Sequence, residues 1–202
     1  WQPSGQAFDE SRRDRITTRV REEAFDLRAW DEIGSERRWE GARECHVEAI
    51  TAGIEPLDLP VAVDLGNGVG GVTVEALLAL DCSVETLNAQ PDGRFPGRPS
   101  KPTAENCASL RALVAGTDAE LGIAHDGDAD RAMVVTEDGE WVTGDALLAL
   151  FAREAVDPGE EVAVPVDTSL AVADAVEESG GSVVRTRVGD VFVAERAAES
   201  GA

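Results

Sequence analysis

The sequence predicts an α/β protein made of tandem mixed-sheet α/β domains with helices covering the sheets, the second unit truncated. Three observations lead there. From Val61 onward short apolar runs alternate with helix-length amphipathic segments, the pattern of sheets covered by helices. Gly, Pro, Asn and Asp punctuate the joins between them. At 202 residues with 43% hydrophobic content, the chain has material for one or two real cores.

Each element follows from local pattern. Residues 9 to 53 are charged and helix-prone, with Pro3 and Gly5 as breaks before them and Gly34 within, and Glu36 to Ile50 sets Trp39, Ala42, Cys45, Val47 and Ile50 at mostly three- and four-residue steps, predicting a long amphipathic helix. After Gly53-Ile54-Glu55-Pro56 come strand Val61 to Asp64, helix Thr73 to Leu80 and strand Ser83 to Leu87. Helix Ala104 to Ala115, strand Glu120 to Ala124 and strand Ala132 to Thr136 follow, and Asp138-Gly139 turns the chain toward Trp141-Val142. The second unit offers helix Asp145 to Ala155, strand Glu161 to Val166, helix Leu170 to Glu178, strand Ser182 to Arg185 and helix Val191 to Ala198. Two strands are few for a finished sheet.

The most informative segment joins two of these strands. His125-Asp126-Gly127-Asp128-Ala129-Asp130-Arg131 places a carboxylate at every second position between apolar runs. In extended backbone Asp126, Asp128 and Asp130 lean to one side and can converge on a hard cation. Left bare, two unit charges about 5 Å apart at an effective dielectric of ~20 repel by about 3 kcal/mol, more than Arg131 can offset for every pair. A solvated acidic loop is the plainer alternative. An EF-hand fails on backbone grounds, because Arg131 stands where that loop needs glycine and a strand rather than a helix follows. His125, facing away from Asp126 in extended chain, is expected to pack or support rather than ligate.

Other features admit more than one reading. Gly66-Asn67-Gly68-Val69-Gly70-Gly71 matches GxGxxG between a strand and a helix, where a dinucleotide or S-adenosylmethionine would bind, with Glu85 near the end of the next strand as a ribose partner. The simpler alternative is a tight turn and close packing of helix on sheet. Pro91 to Pro102 is rich in Pro and Gly and carries Arg94, Arg98 and Lys101; it is either a linker or a cationic loop that meets phosphate.

Composition excludes several classes. A net charge of −22 with Lys101 the only lysine makes nucleic acid a poor partner, since phosphate-backbone binding needs a basic face. Such an acidic surface suits a salt-rich cytoplasm, where screening removes self-repulsion, and a halophilic source is expected. No apolar stretch approaches the roughly 20 residues of a membrane span, and Trp1 to Gly5 lacks the basic and apolar regions of a signal peptide, so a cytoplasmic location is expected. Cys45, Cys82 and Cys107 have neither disulfide nor zinc spacing and are expected to be buried thiols.

Taken together, these segments resemble the α-D-phosphohexomutases, the family of phosphomannomutase, phosphoglucomutase and phosphoglucosamine mutase. Asp126 to Arg131 is similar to the family's magnesium loop, Val63 to Gly70 to the first strand and turn of its second domain, Pro91 to Pro96 to the loop that follows, Arg185 to Asp190 to the substrate-side loop of its third domain, and Trp1 to Phe8 to the close of its first. The resemblance implies residues 1–36 as the end of domain I, 37–142 as domain II and 143–202 as the first half of domain III. It implies Mg2+ on Asp126, Asp128 and Asp130, Arg131 as the catalytic candidate supporting phosphate, and Gly189 and Asp190 at the substrate. A phosphoserine would pass its phosphoryl group to a hexose phosphate through a bisphosphate. That serine, the sugar loop and the last domain's phosphate-gripping loop are not in this chain. A fragment, inactive alone and partnered by the remainder of its own polypeptide, is expected. Some members acting on both mannose and glucose phosphates carry Gly-His where Gly189-Asp190 stands and a lysine near Asp167, and both differences leave the sugar open.

Overall fold

The computed structural model describes residues 2, 3, 5 and 7–200. Trp1, Ser4 and Gln6, part of the stretch likened to the close of a first domain, lie outside the described residues. In chain order the elements are α1 (Glu10–Arg21), α2 (Ala42–Thr51), β1 (Pro60–Asp64), α3 (Gly71–Ala79), β2 (Ser83–Leu87), α4 (Ala108–Gly116), β3 (Leu121–His125), β4 (Ala132–Thr136), α5 (Gly144–Ala155), β5 (Glu161–Pro165), α6 (Leu170–Glu178), β6 (Ser182–Thr186) and α7 (Asp190–Ser200). They form two compact units, residues 38–144, and residues 1–37 with 145–202.

In the 38–144 unit the sheet order is β2-β1-β3-β4. β1 pairs in parallel with β2 and β3, and β4 returns antiparallel to β3. β1 is central, and Val61 to Asp64 are all buried. Alternation along it splits the core between two faces. Ala62 packs with Cys107, Leu110, Val114, Ala124 and Val135 on the α4 side. Val61 and Val63 pack with Leu65, Leu80 and Cys82 on the α3 side. Helices on both faces of a mainly parallel sheet are what buried strands of this kind require. The hairpin after β4 turns at Gly139, φ +77, and brings Trp141 opposite Val135.

In the other unit β5 and β6 pair in parallel, from Glu161 beside Ser182 to Pro165 beside Thr186. Ser169 caps α6 by accepting from the Ala171 N–H, and Val172 and Val176 bury the helix against the sheet. The run β5-α6-β6-α7 repeats the run β1-α3-β2-α4 of the first unit, with the same five-residue parallel pairing. α1 is capped by Asp9, whose carboxylate accepts from the Arg12 N–H, and carries Glu10 in its first turn and Arg19 and Arg21 in its last, in accord with the helix dipole.

Three expectations need correction. The helix predicted from Ala104 begins at Ala108, after turns at residues 104–107. The helix predicted from Glu36 begins only at Ala42, because Gly41 sits in left-handed backbone at φ +81 and supplies no side-chain cap; Trp39 is 73% exposed rather than on a buried stripe. Cys45 is exposed on that helix, whereas Cys82 and Cys107 are buried. Burial pushes the Cys107 thiol pKa up. Among the described residues no helix is long and apolar enough to cross a membrane. Because the chain carries −22, raising salt from about 0.1 to about 2 M should raise its melting temperature as screening shortens; a fall would mean that self-repulsion does not limit its stability.

Candidate metal centre

β1 and β3 lie side by side in parallel, so their final residues, Asp64 and His125, emerge together at the C-terminal edge of the sheet. Loops at this edge of an open α/β sheet are where ligands bind. The β3–β4 loop begins there with Asp126, which is 6% exposed, and continues through the exposed Asp128 and Asp130. One oxygen from each of the three carboxylates lies within 4.8 Å of the others.

The convergence is not the work of extended backbone. Carboxylates two residues apart on a strand are separated by about 6.6 Å. Here the loop turns: Ala129 has φ +61, its N–H donates to the Asp126 carbonyl at 3.2 Å, and the Arg131 N–H donates to Asp126 Oδ1 at 3.1 Å. Loss of water, then the charges of Asp128 and Asp126, hold the Asp130 carboxyl above the usual range, while Arg131 pulls it down. Arg131 Nε lies 3.7 Å from both Asp126 Oδ2 and Asp130 Oδ1, too far for hydrogen bonds, and its side chain is 65% exposed. An all-oxygen donor set, half-fixed by backbone and short of compensating charge, fits a hard divalent cation.

His125 supports this loop from below. Its Nδ1 lies 3.0 Å from the Arg131 carbonyl and its Nε2 2.9 Å from Thr73 Oγ1 of α3. A carbonyl only accepts, so Nδ1 carries a hydrogen. The ring thus bridges both ends of the aspartate loop and the helix beside it.

The glycine-rich turn after β1 is filled by the same loop. The Val69 N–H donates to the Gly127 carbonyl at 3.1 Å, and a Cβ at Gly68 would stand 2.5 Å from that oxygen. Backbone therefore occupies the space a cofactor pyrophosphate would need beside Gly68, and close packing accounts for the glycine. Glu85 sits at the middle of β2 opposite Ala62, not at its end, so it is misplaced for a ribose. Gly68→Ala should destabilise the chain by about 1–3 kcal/mol through overpacking, measured by urea unfolding; a neutral result would mean the two loops do not touch.

The Pro91–Pro102 segment is not a bare linker. Arg94 is 88% exposed and pairs with Asp92. Arg98 turns inward, 3% exposed, with Nε 2.7 Å from Asp64 Oδ2. Asn88 Nδ2 and the Gly66 N–H also donate to Asp64 Oδ1, both at 2.9 Å. Asn67 ties the turn to the segment, accepting from the Gly97 N–H and donating to the Gln90 carbonyl. Ser100 Oγ accepts from the Gly127 N–H at 3.1 Å. Sequence reasoning missed Asn67, Thr73, Asn88, Arg98 and Ser100. Asn67 and Asn88 carried a faint signal, since asparagine tolerates the left-handed backbone they adopt at φ +59 and +50.

Gly189 and Asp190 belong to the other unit. Gly189, at φ +136, accepts at its carbonyl from the Phe192 and Val193 N–H groups, and Asp190 opens α7. The Arg187 guanidinium lies over the Phe192 ring at 3.9 Å.

Comparison with known proteins bears on this arrangement. Residues 43–139 match the family model for phosphoglucomutase/phosphomannomutase, alpha/beta/alpha domain II, and residues 143–202 match that for domain III. A probable phosphoglucosamine mutase of Methanococcoides burtonii is 44% identical over 96% of this chain and 45% of its own length. Another from Methanosarcina barkeri is 44% identical over 100% of this chain and 46% of its own. Among solved structures, a phosphoglucomutase/phosphomannomutase family protein from Burkholderia thailandensis superposes with a TM-score of 0.85 at 32% identity, covering 98% of this chain and 43% of that one. The chain spans about half the length of the curated relatives it matches.

Proposed function

This chain belongs to the phosphoglucomutase/phosphomannomutase family, and on that premise we propose that the whole protein is a phosphosugar mutase, with this chain supplying its metal loop. It would interconvert a hexose 1-phosphate and 6-phosphate through a phosphoserine and a bisphosphate. The names of the archaeal relatives favour glucosamine phosphate as the sugar. The observation that carries the reading is the meeting of three carboxylates within 4.8 Å at the edge of a mainly parallel sheet where β1 and β3 end.

Asp126, Asp128 and Asp130 would hold Mg2+, which when bound supplies positive charge to a phosphoryl group in transfer. Arg131 stands exposed beside the carboxylates, and its planar fork suits a phosphate brought to them. Asp126 is oriented by the Arg131 N–H, so one turn fixes the buried carboxylate and sets the root of the exposed cationic side chain beside it. Gly189 and Asp190 would meet the sugar. The same reading places residues 1–36 at the close of a first domain, 37–142 in a second and 143–202 in a third. It places the protein in the cytoplasm.

The test is a mutase assay on the full-length protein with glucosamine, glucose and mannose phosphates. Interconversion that disappears on chelation and returns with Mg2+ is expected. Turnover unaffected by chelation would refute the role given to the carboxylates.

A further inference from the structure

We propose that Arg98 is a positioning residue for the aspartate loop, holding Asp126 in place from both flanks. Its functional consequence rests on reading Asp126, Asp128 and Asp130 as a divalent site; its geometry does not. All the guanidinium hydrogens are used. Nε donates to Asp64 Oδ2 at 2.7 Å, one terminal nitrogen to the Asp64 and His125 carbonyls at 3.2 and 2.6 Å, and the other to the Pro99 and Ser100 carbonyls, both at 3.2 Å. One buried fork therefore joins the end of β1, the end of β3 and its own loop.

The placement of these bonds matters more than their number. His125 immediately precedes Asp126, and its carbonyl is held by Arg98. Gly127 immediately follows, and its N–H is held by the hydroxyl of Ser100, whose carbonyl Arg98 also grips. The peptide groups on either side of Asp126 are thereby anchored to a single group. A surface ion pair would leave the loop free to splay under the repulsion of its own carboxylates. A lysine would keep the charge opposite Asp64 but, as a compact ammonium with three donors, could not also reach the strand-end and loop carbonyls.

Arg98→Lys separates charge from fork. In the metal-free chain, hydrogen exchange at the amides of Gly127, Ala129 and Arg131 is expected to lose protection, and Mn2+ affinity measured by calorimetry is expected to fall on the order of tenfold, the loss typical of removing a group that orients a ligand. Arg98→Met combined with Asp64→Ala, which leaves no unpaired ion, should move both readouts in the same direction and decides the matter if Arg98→Lys does not fold; Ser100→Ala, which keeps every Arg98 bond, should expose the Gly127 amide alone. Leu110→Ala, a core change on α4, should lower global stability while leaving the loop amides and Mn2+ affinity as in the native chain. Unchanged loop exchange and affinity in Arg98→Lys, or in the double variant if that is the one that folds, would overturn the proposal. A native chain that binds no Mn2+, with loop exchange still rising in Arg98→Lys, would sink the metal reading and support the positioning role.

Discussion

Asp64→Ala is expected to destabilise the chain by about 3–5 kcal/mol, the largest single effect on folding, because it strands the Arg98 guanidinium without its counter-charge in a dry site. Asp64 is 1% exposed and accepts hydrogen bonds from Arg98, Asn88 and the Gly66 backbone. Taking away the carboxylate abandons all of these donors at once, and a buried donor without an acceptor costs its full desolvation. The comparison that isolates the charge is Asp64→Asn, which keeps the shape and one acceptor and should lose less. Replacing both partners, Asp64→Ala with Arg98→Met, should recover part of the loss, since no unpaired ion remains. Urea unfolding of the three variants checks this. Equal stability of Asp64→Ala and the native chain would show that the pair is not buried as described.

Asp128→Ala has the opposite profile. Its side chain is exposed and, among the described residues, no hydrogen bond or ion pair runs to it, so stability should not fall; in the metal-free chain, relief of its repulsion with Asp126 and Asp130 should raise stability slightly. Divalent binding should fall by at least about a hundredfold, because groups that merely orient a ligand already cost about 10–100-fold and this change removes a ligand outright. In the full-length protein the same substitution should abolish interconversion of sugar phosphates. Retained affinity would shift the site onto Asp126 and Asp130 alone.

The contrast between the two aspartates reflects what a sequence can carry. The alternating carboxylates, the apolar flanks and the strand on either side were all local, and so the loop and its two strands were legible. Strands β2 and β4 and helix α6 fall where local pattern placed them, Ser83–Leu87, Ala132–Thr136 and Leu170–Glu178. The mechanism of convergence was not legible, because a left-handed Ala129 has no compositional mark and alternation suggested extension instead. Arg98 was visible only as one of several cations in a Pro- and Gly-rich stretch. Its partner Asp64 lies 34 positions away, and the pairing exists only once β1 and β3 stand side by side. The glycines after β1 could serve a phosphate or a close contact equally well until Gly127 was found against Gly68. The late start of α2 has a local cause: periodicity ran on through Glu36 to Gly41, but Gly41 takes left-handed backbone, which the spacing of apolar residues does not register.

Anomalous diffraction from crystals of this chain soaked in Mn2+ tests the central claim most directly. The expected result is a single peak bonded by an oxygen from each of Asp126, Asp128 and Asp130, with Asp126 unmoved and still accepting from the Arg131 N–H. An empty map at that loop under saturating Mn2+, with the three carboxylates turned to solvent, would contradict it.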